Sequence, residues 1–305
     1  MNKLIAIIGP TAIGKTRLAI ELALQFNGEI INADSRQIYR YMDIGTAKPT
    51  KAELAAVSHH LVDIIEPDKE FSLAEYQQLT DKTIQDIQTR GKIPFLVGGS
   101  GLYVWAVLEG WIIPKIAPDS GFRQELEQRA GMGQGAELYE DLRQIDPAAA
   151  AKIDSRNIRR VIRALEVNKL AETTFSELQK KQPPLFEVLI IGLTADRQEL
   201  YRRADERAGN MLKQGFVEEV EALQKMGYRL NLPAMSGIGY REIGQYLNGK
   251  MTLDATVYKI KTGTHRFIRH QYAWFRLKDE RIKWFDVENA PESEIDRMVT
   301  EFLKQ

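Results

Sequence analysis

The chain of 305 residues contains no cysteine, which excludes disulfide bonds, thiolate catalysis and cysteine-ligated zinc. It also has no net charge, because 42 lysine and arginine residues balance 42 aspartate and glutamate residues. A nucleic-acid surface would therefore have to come from local clustering of charge. The first apolar run covers only residues 4–8, too short for a signal-peptide core or a membrane span. These absences predict a cytoplasmic protein without a membrane segment.

The most informative feature that is present is a glycine-rich segment between a strand-like run and a helix-like run at 17–26. It matches the phosphate-binding pattern G-x4-G-K-[ST] and consists of Gly9, Pro10, Thr11, Ala12, Ile13, Gly14, Lys15 and Thr16. Backbone N–H groups, the positive helix end and the lysine converge on phosphate oxygens in this pattern, and the Thr16 hydroxyl suits a phosphate-bound Mg²⁺. A diphosphate or triphosphate site follows, which leaves a nucleotide kinase, an ATPase and a transferase with a diphosphate leaving group open.

Strand and helix patterns alternate over the first part of the chain, with strands predicted at 29–32, 61–65 and 92–97 and a helix at 73–90. This alternation predicts an α/β fold: a mostly parallel sheet flanked by helices, like that of P-loop NTPases. The strand signal disappears between 118 and 182, and a strand returns at 186–193. We therefore expect a core made of residues 1–117 and 183–305 with an inserted all-helical subdomain at 118–182. The later helices are predicted at 197–214, 217–226, 238–248 and 256–277.

Asp34 follows a buried strand and should face the phosphate loop across the edge of the sheet. It could act as a general base or lie near Mg²⁺, but an Asp-Ser pair is also a common helix cap. His59 and His60 are adjacent, so on a strand they point to opposite faces and are poorly placed to bind one metal ion. We expect a structural or hydrogen-bonding role for them.

Two basic segments indicate a polyanionic partner. Arg156, Arg159, Arg160 and Arg163 have a spacing that would place four guanidinium groups on one face of a helix, with only Glu166 as a nearby acid. The segment 257–283 holds eight lysines and arginines against two acids, with aromatic residues interleaved. Basic residues can contact a phosphate backbone and aromatic rings can stack on unpaired bases, although aromatics that pack in the core are the ordinary alternative.

Several motifs together resemble the tRNA dimethylallyltransferase (tRNA isopentenyltransferase) family. Besides the phosphate loop, the resemblance is carried by the segments at 33–39, 42–49, 59–63, 96–103 and 163–166, and near the end by those at 239–242 and 269–276. The resemblance covers nearly the whole chain. Because the eukaryotic branch carries a cysteine-histidine zinc finger and this chain has no cysteine, the resemblance is to the bacterial type.

The resemblance implies transfer of the dimethylallyl group from dimethylallyl diphosphate to N6 of adenosine 37 in tRNA, with Mg²⁺ as the cofactor. It implies that the phosphate loop and Arg207 bind the diphosphate. Catalysis would involve Lys15, Thr16 and Arg207, with Asp34 as the proton acceptor. The resemblance also implies a monomer. The residues that match tRNA-contacting positions of the family are Asp34, Ser35, Arg36, Gln37, Ser100, Arg123, Arg159, Arg160, Val161, Ile162, Arg163, Arg241 and Arg269.

Two other functions use the same phosphate loop. A small-molecule or nucleoside kinase would explain residues 9–16 but would leave both basic segments without a role. An isopentenyltransferase for free adenine nucleotides would use the same diphosphate site without needing a large RNA-facing region.

Overall fold

A computed structural model describes residues 2–113, 119–171, 173–178, 181–184, 186–289 and 292–305. The chain divides into two units, a first one of Met1–Leu108 and Pro184–Gln305 and a second one of Glu109–Pro183. The boundary that we predicted beside residue 117 lies outside the described residues.

The first unit is built on a six-stranded sheet in which every pair of neighbouring strands is parallel. The strands are β1 (Lys3–Ile8), β2 (Gly28–Asn32), β3 (His59–His60), β4 (Ile93–Gly98), β5 (Glu187–Thr194) and β6 (Ile282–Asp286). The strand order is β3-β2-β4-β1-β5-β6. β1 is buried at every position, as expected for a strand covered on both faces. The predicted α/β class is confirmed.

Six helices of the first unit follow the predicted helical segments closely. Two helices of this unit begin with a complete capping box, Thr50 with Glu53 and Ser72 with Glu75, which fixes where those helices start. The helices of this unit are α1 (Lys15–Gln25), α2 (Lys51–Ala56), α3 (Leu73–Thr89), α4 (Gly101–Leu108), α10 (Arg197–Lys213), α11 (Phe216–Lys225), α12 (Tyr240–Leu247), α13 (Leu253–Trp274) and α14 (Glu292–Lys304), with a short 3-10 helix at Ala234–Ser236.

The second unit contains the helices α5 (Ser120–Gly131), α6 (Gly135–Ile145), α7 (Pro147–Ala150), α8 (Ile158–Leu170) and α9 (Phe175–Leu178). Its core is formed by apolar side chains from successive helices, among them Leu126, Leu138, Leu142 and Val161. Within the described part of this unit, the only strand-like pairing is a bridge between Trp111 and Lys181. The inserted segment is therefore helical where it is described, as its sequence predicted.

The order of the strands brings three loops together at one edge of the sheet. β1 lies between β4 and β5, with Ile8 opposite both Gly98 and Gly192. β2 lies on the other side of β4, with Asn32 opposite Val97. Because parallel strands all end at the same edge, the segments that follow β1, β2 and β4 meet there. Beside β1, connections to other strands leave in opposite directions along the sheet, which is where ligands commonly bind in such folds.

The predicted strand at 61–65 is wrong. β3 ends at His60, and Leu61 and Asp63 have φ angles of 61° and 56°, which no strand accommodates. The Leu61 carbonyl instead accepts a hydrogen bond from the Asn32 side chain at 3.0 Å. Ile64 and Ile65 pack against a core cluster that includes Ile38, and Ile65 forms an isolated bridge with Tyr39 instead of extending the sheet. A pattern of apolar residues alone does not separate such a segment from a strand.

β6, α2, α4 and α14 were absent from our prediction. β6 lies within and just beyond the basic segment 257–283, and its short run beside β5 has charged residues on both sides. Its pairing with β5 is a contact between distant parts of the chain, which local sequence does not encode.

Among the described residues, no helix is both long enough and apolar enough to cross a membrane.

Glu29 forms a charged cluster at the start of β2. Its side chain is only 2% exposed and accepts hydrogen bonds from Arg90 and Lys92, the latter at 2.7 Å. His60 Nε2 lies 2.7 Å from the same carboxylate, so the predicted hydrogen-bonding role of this histidine is confirmed. The bond from Arg90 lowers the pKa of Glu29 most strongly, against the opposing effect of burial, and Lys92 and His60 lower it further.

We expect Glu29→Gln to lower the free energy of unfolding by about 2 kcal/mol at pH 7, because it removes the anion that compensates these cations. A lowered pKa stabilises the folded state above the ordinary carboxyl pKa, and this stabilisation is lost as the pH falls below it. The difference between the wild type and Glu29→Gln, measured by urea unfolding, should therefore shrink from pH 5 to pH 3. Glu21→Gln, at an exposed pair with Arg17, should cost less than about 0.5 kcal/mol. A Glu29→Gln effect as small as that of this control would contradict the expectation.

Candidate active site

The loop after β1 has the backbone shape that a phosphate cradle requires. Gly9 has a φ of 143°, and a Cβ there would lie 2.5 Å from the Leu193 carbonyl oxygen. Ala12 and Gly14 also have positive φ angles, so the loop curls tightly into the first turn of α1. This turn has no acidic residue and no side-chain cap. Its free N–H groups and the helix dipole therefore favour an anion at this point.

Two cations and one carboxylate surround the loop. Lys15 Nζ donates a hydrogen bond to the Pro10 carbonyl oxygen at 2.7 Å, and Arg207 Nη1 donates one to Thr11 Oγ1 at 3.3 Å. Burial lowers the pKa of Lys15 to about 8, which nearby Asp34 opposes and nearby Arg207 reinforces. Burial likewise lowers the pKa of Arg207, again opposed by Asp34. The site therefore holds more positive charge than it neutralises, which favours a polyanionic ligand.

Asp34 is held by its neighbours in the loop after β2. Its N–H donates to Asn32 Oδ1 and its carbonyl oxygen accepts from Asn32 Nδ2, both at 3.0 Å. Asn32 is itself buried, and its carbonyl oxygen accepts a hydrogen bond from the Tyr76 hydroxyl at 3.0 Å. Asp34 Oδ1 accepts from the Arg36 N–H at 2.8 Å. No helix begins directly after Asp34, so its carboxylate stabilises a turn rather than a helix end. Among the described residues, the second carboxylate oxygen has no protein donor.

The loops after β2 and β4 are joined by two serines. The Ser35 N–H donates to Ser100 Oγ at 3.0 Å, and the Ser100 hydroxyl donates to Ser35 Oγ at 3.2 Å. The backbones are close here as well, since a Cβ at Gly98 would lie 2.1 Å from the Ala33 carbonyl oxygen. This contact requires glycine at position 98.

A carboxylate fixes the neighbouring segment 42–49. Glu219 on α11 accepts hydrogen bonds from the N–H groups of Asp43, Ile44 and Gly45 at 2.7–3.1 Å. The Tyr240 hydroxyl also donates to Glu219 at 2.7 Å, and Glu219 together with burial raises the pKa of Tyr240. The other side of the segment is held by Gln37, whose Nε2 donates to the carbonyl oxygens at 46 and 47.

Three adjoining cavities run through this region. We call them the phosphate cavity, the central cavity and the aromatic cavity, with volumes of about 980, 270 and 550 Å³. Thr11, Asp34 and Arg207 line both the phosphate cavity and the central one. Ser35, Ser100 and Phe267 line both the central cavity and the aromatic one. A passage with the phosphate loop at one end and aromatic residues at the other thus has Asp34 and Ser35 between them.

Residues 37–278 match the family model described as IPP transferase. The chain belongs to this family. The tRNA dimethylallyltransferase of Roseiflexus sp. (strain RS-1) is 53% identical over 276 residues, which cover 90% of each chain. This confirms the family resemblance drawn from the motifs.

Two solved structures are similar to this chain. The full-length tRNA isopentenylpyrophosphate transferase from Bacillus halodurans is 39% identical, with a TM-score of 0.74 and coverage of 100% of this chain and 96% of that one. A eukaryotic dimethylallyltransferase acting on tRNA has a TM-score of 0.84 at 25% identity and covers 100% of this chain and 80% of that one.

The residues around the loop do not by themselves form a metal site. Among the described residues, no group of three histidine, aspartate or glutamate side chains is arranged to hold a metal ion. Thr16 lines the phosphate cavity at the end of the loop and offers one hydroxyl oxygen. This donor set fits Mg²⁺ when most ligands come from phosphate oxygens and water, which is how Mg²⁺ commonly binds beside phosphates.

The four arginines between 156 and 163 do not share one helical face as we predicted. Arg156 precedes α8 and pairs with Asp154 at 2.7 Å. Arg163 pairs with the buried Glu166 at 2.7 Å, and so does Arg123. Arg159, Arg160 and Arg163 do lie on α8, but Asn157 caps this helix, so Arg156 lies outside it. Arg159 and Arg160 are exposed, and their guanidinium groups have no acidic partner among the described residues.

The other residues that match tRNA-contacting positions differ in their exposure. Val161 and Ile162 lie in the core of the second unit, so their side chains do not face solvent. Arg36 is bonded to the Pro233 carbonyl oxygen at 2.8 Å. Arg241 and Arg269 are exposed, and Arg269 donates to the Tyr201 hydroxyl at 2.9 Å.

The long helix α13 presents aromatic rings to solvent. Tyr258, Phe267 and Trp274 are 69%, 39% and 41% exposed, whereas Phe275 directly after the helix is buried. Phe267 and Trp274 line the aromatic cavity beside Arg266 and His270. Some aromatics of the segment 257–283 therefore pack in the core, whereas stacking of the exposed rings on RNA bases stays a prediction.

Sequence reasoning missed three polar residues that shape this site: the buried Asn32 and Gln271 and the half-buried Glu219. Asn32 carried a signal, because it is a polar residue at the end of an otherwise apolar strand. Glu219 carried none, since glutamate is ordinary on a helix such as α11. Gln271 was part of a family motif, but its partners lie far away in the sequence.

We expect the affinity for inorganic diphosphate to fall as the pH rises through about 8, because Lys15 loses its proton there in the free protein. The ratio of wild-type affinity to that of Lys15→Met, measured by calorimetry from pH 6.5 to 9.5, cancels the titration of the ligand itself. Below pH 8 this ratio should be constant, and above it the ratio should approach a tenfold loss per pH unit. A ratio that does not change over this range would show that the lysine charge does not contribute to binding.

Proposed function

We propose that this protein transfers the dimethylallyl group of dimethylallyl diphosphate to N6 of adenosine 37 in tRNA, giving N6-isopentenyladenosine and diphosphate. The passage carries this proposal, because it joins a phosphate cradle to an aromatic mouth with a carboxylate between them. The acceptor nitrogen must reach C1, the carbon bonded to the diphosphate oxygen, and the central cavity that leads from the aromatic mouth to the cradle is lined by Thr11, Asp34 and Arg207. The names of the relatives, tRNA dimethylallyltransferase and tRNA isopentenylpyrophosphate transferase, support the same substrates.

The diphosphate would lie in the phosphate loop between Lys15 and Arg207. As the bond between C1 and the diphosphate oxygen breaks, negative charge grows on the leaving group, and these fixed cations stabilise it. Thr16 would help to hold Mg²⁺ against the diphosphate oxygens, and the bound ion would supply further positive charge there. The prenyl chain would extend from the cradle into the central cavity, whose walls include Ala208 and Met211.

The adenine would enter from the aromatic cavity after leaving the stack of the anticodon loop. Its N6 nitrogen forms the new bond to C1, and one N6 proton passes to Asp34. A positioned acceptor suits this step, because the exocyclic amine is a weak nucleophile whose lone pair is delocalised into the ring. Asn32 and Tyr76 hold Asp34 in the passage. Ser35, Arg36, Gln37, Ser100 and exposed arginines would position the RNA.

The decisive assay combines labelled dimethylallyl diphosphate, Mg²⁺ and unmodified tRNA, with AMP and adenosine in parallel and nucleosides identified by mass. N6-isopentenyladenosine formed from tRNA alone is the expected result. Prenylated product from AMP would place the protein in the free-nucleotide class. Transfer of labelled phosphate from ATP to an acceptor would indicate a kinase.

Asp34→Asn should lower the single-turnover rate of transfer by about 10²- to 10⁴-fold, because an amide cannot accept the proton. Asparagine keeps the oxygen that accepts the Arg36 N–H, so the turn should survive and the affinity for dimethylallyl diphosphate should change little. Asp196→Asn is the matched control, since Asp196 follows β5 and caps α10 as an ordinary strand-end aspartate. Its rate should stay within twofold of wild type. An Asp34→Asn rate close to that of this control would exclude Asp34 as the proton acceptor.

The exposed pair Arg159 and Arg160 should contribute to tRNA affinity through phosphate contacts. The double variant Arg159→Ala, Arg160→Ala should reduce the slope of log affinity against log salt by roughly one to two, because fewer counterions are released. Filter binding between 50 and 300 mM salt measures this slope. The double variant Arg143→Ala, Lys152→Ala removes the same charge from the same unit and should leave the slope unchanged. An equal loss in both variants would indicate a general charge effect rather than a contact surface.

A further inference from the structure

Gln271 is a buried polar side chain at the centre of the first unit. It lies on α13, is 3% exposed, and uses both ends of its amide. Oε1 accepts a hydrogen bond from the Thr11 N–H at 2.8 Å, and Nε2 donates one to the Gly99 carbonyl oxygen at 3.0 Å. One side chain thus joins the phosphate loop after β1 to the loop after β4.

Each of these bonds fixes a group that faces the proposed reaction. The Thr11 N–H is directed at Gln271, and the hydroxyl of the same residue accepts from Arg207. Gly99 directly precedes Ser100, which is hydrogen-bonded to Ser35. Gln271 therefore lies between the residues at the diphosphate end of the passage and those at its acceptor end.

The fit around Gln271 leaves no second arrangement for its amide. A Cβ at Gly99 would lie 2.2 Å from Nε2 of Gln271. Trp274, one turn further along α13, is packed as closely, because a Cβ at Gly101 on α4 would lie 2.2 Å from its ring. Trp105 Nε1 donates to the Trp274 carbonyl oxygen at 3.0 Å and holds the end of the helix. Turning the amide over would set two donors against each other at Thr11 and two acceptors at Gly99, so its orientation is determined.

We infer that Gln271 is a positioning residue for the transfer: it holds the phosphate loop and the Ser100 loop in register, so that the leaving group and the acceptor base meet at the correct distance. The inference rests on the proposed function. The face of α13 next to Gln271 carries Phe267 and His270, which line the aromatic cavity. A single helix therefore builds the acceptor mouth and sets the cradle, and a displacement of about 1 Å between the two loops is enough to cost roughly a hundredfold in rate.

Two substitutions test this role. Gln271→Met has a similar length but removes both hydrogen bonds, and the single-turnover rate with saturating substrates should fall by roughly tenfold to a hundredfold. Gln271→Glu keeps the shape. Its carboxylate accepts from the Thr11 N–H but opposes the Gly99 carbonyl oxygen, whereas its protonated form can donate to that oxygen. The rate of Gln271→Glu relative to wild type should therefore recover as the pH falls from 8 to 6.

Thr256→Val is the matched control, because Thr256 is fully buried on the same helix and its hydroxyl donates locally, to the carbonyl oxygen of the capping residue Thr252. It should lower the Tm as much as Gln271→Met does while leaving the rate within twofold of wild type. Wild-type rates in both Gln271 variants, with only a lowered Tm, would overturn the inference and leave a purely structural role. If Gln271→Met does not fold, the pH recovery of Gln271→Glu decides.

Binding of inorganic diphosphate separates this inference from the proposed function. A wild-type protein that transfers no prenyl group would refute the function. The affinity of Gln271→Glu for inorganic diphosphate, measured by calorimetry, would still report on the cradle and should be at least fivefold weaker than wild type at pH 8. An unchanged affinity together with an unchanged rate would refute the positioning role.

Discussion

The site depends on keeping two cations, Lys15 and Arg207, beside the same loop, where Asp34 opposes the effect of burial on both. Burial lowers the pKa of both cations, so the free protein bears an electrostatic cost that a diphosphate relieves. The sheet maintains this arrangement, because β1 is buried along its whole length and the loop after it lies against β5, where a Cβ at Gly9 would be 2.5 Å from the Leu193 carbonyl oxygen. In the proposed reaction, the charge that binds the diphosphate would also stabilise the leaving group in the transition state, so these cations would not have to rearrange.

Three polar side chains, the buried Asn32 and Gln271 and the half-buried Glu219, hold the loops of the site. Asn32 supports the loop of Asp34, Glu219 collects three backbone N–H groups of the segment 42–49, and Gln271 joins two strand-end loops. Each satisfies backbone groups that would otherwise be unpaired in the interior, where an unmade hydrogen bond is costly. A loop fixed in this way can be irregular enough to bind a ligand and still be as well positioned as a strand.

Membership in the IPP transferase family accounts for the two ends of the passage together. A phosphate loop alone is compatible with several chemistries, and exposed aromatics on a basic helix alone are compatible with any RNA-binding surface. Their connection through a cavity lined by Asp34 and Ser35 distinguishes a group transfer between a diphosphate and a base from either function alone. The helical second unit carries Arg159 and Arg160 as exposed cations on a rigid helix, which suits a surface that follows an RNA backbone.

The sequence by itself determined the phosphate loop, the parallel α/β class, the helical character of residues 118–182 where they are described, and the family, because these depend on local patterns and short motifs. It did not determine that residues 61–65 leave the sheet, that β6 pairs with β5, or that Arg156 lies outside α8 while Arg163 is paired with Glu166. It also gave no indication of Glu219 or of the partners of Gln271. These features arise from contacts between segments that lie tens to hundreds of residues apart. A glutamate or glutamine on a helix has the same local pattern whether it faces solvent or an active-site loop, so only the tertiary structure decides which groups it binds.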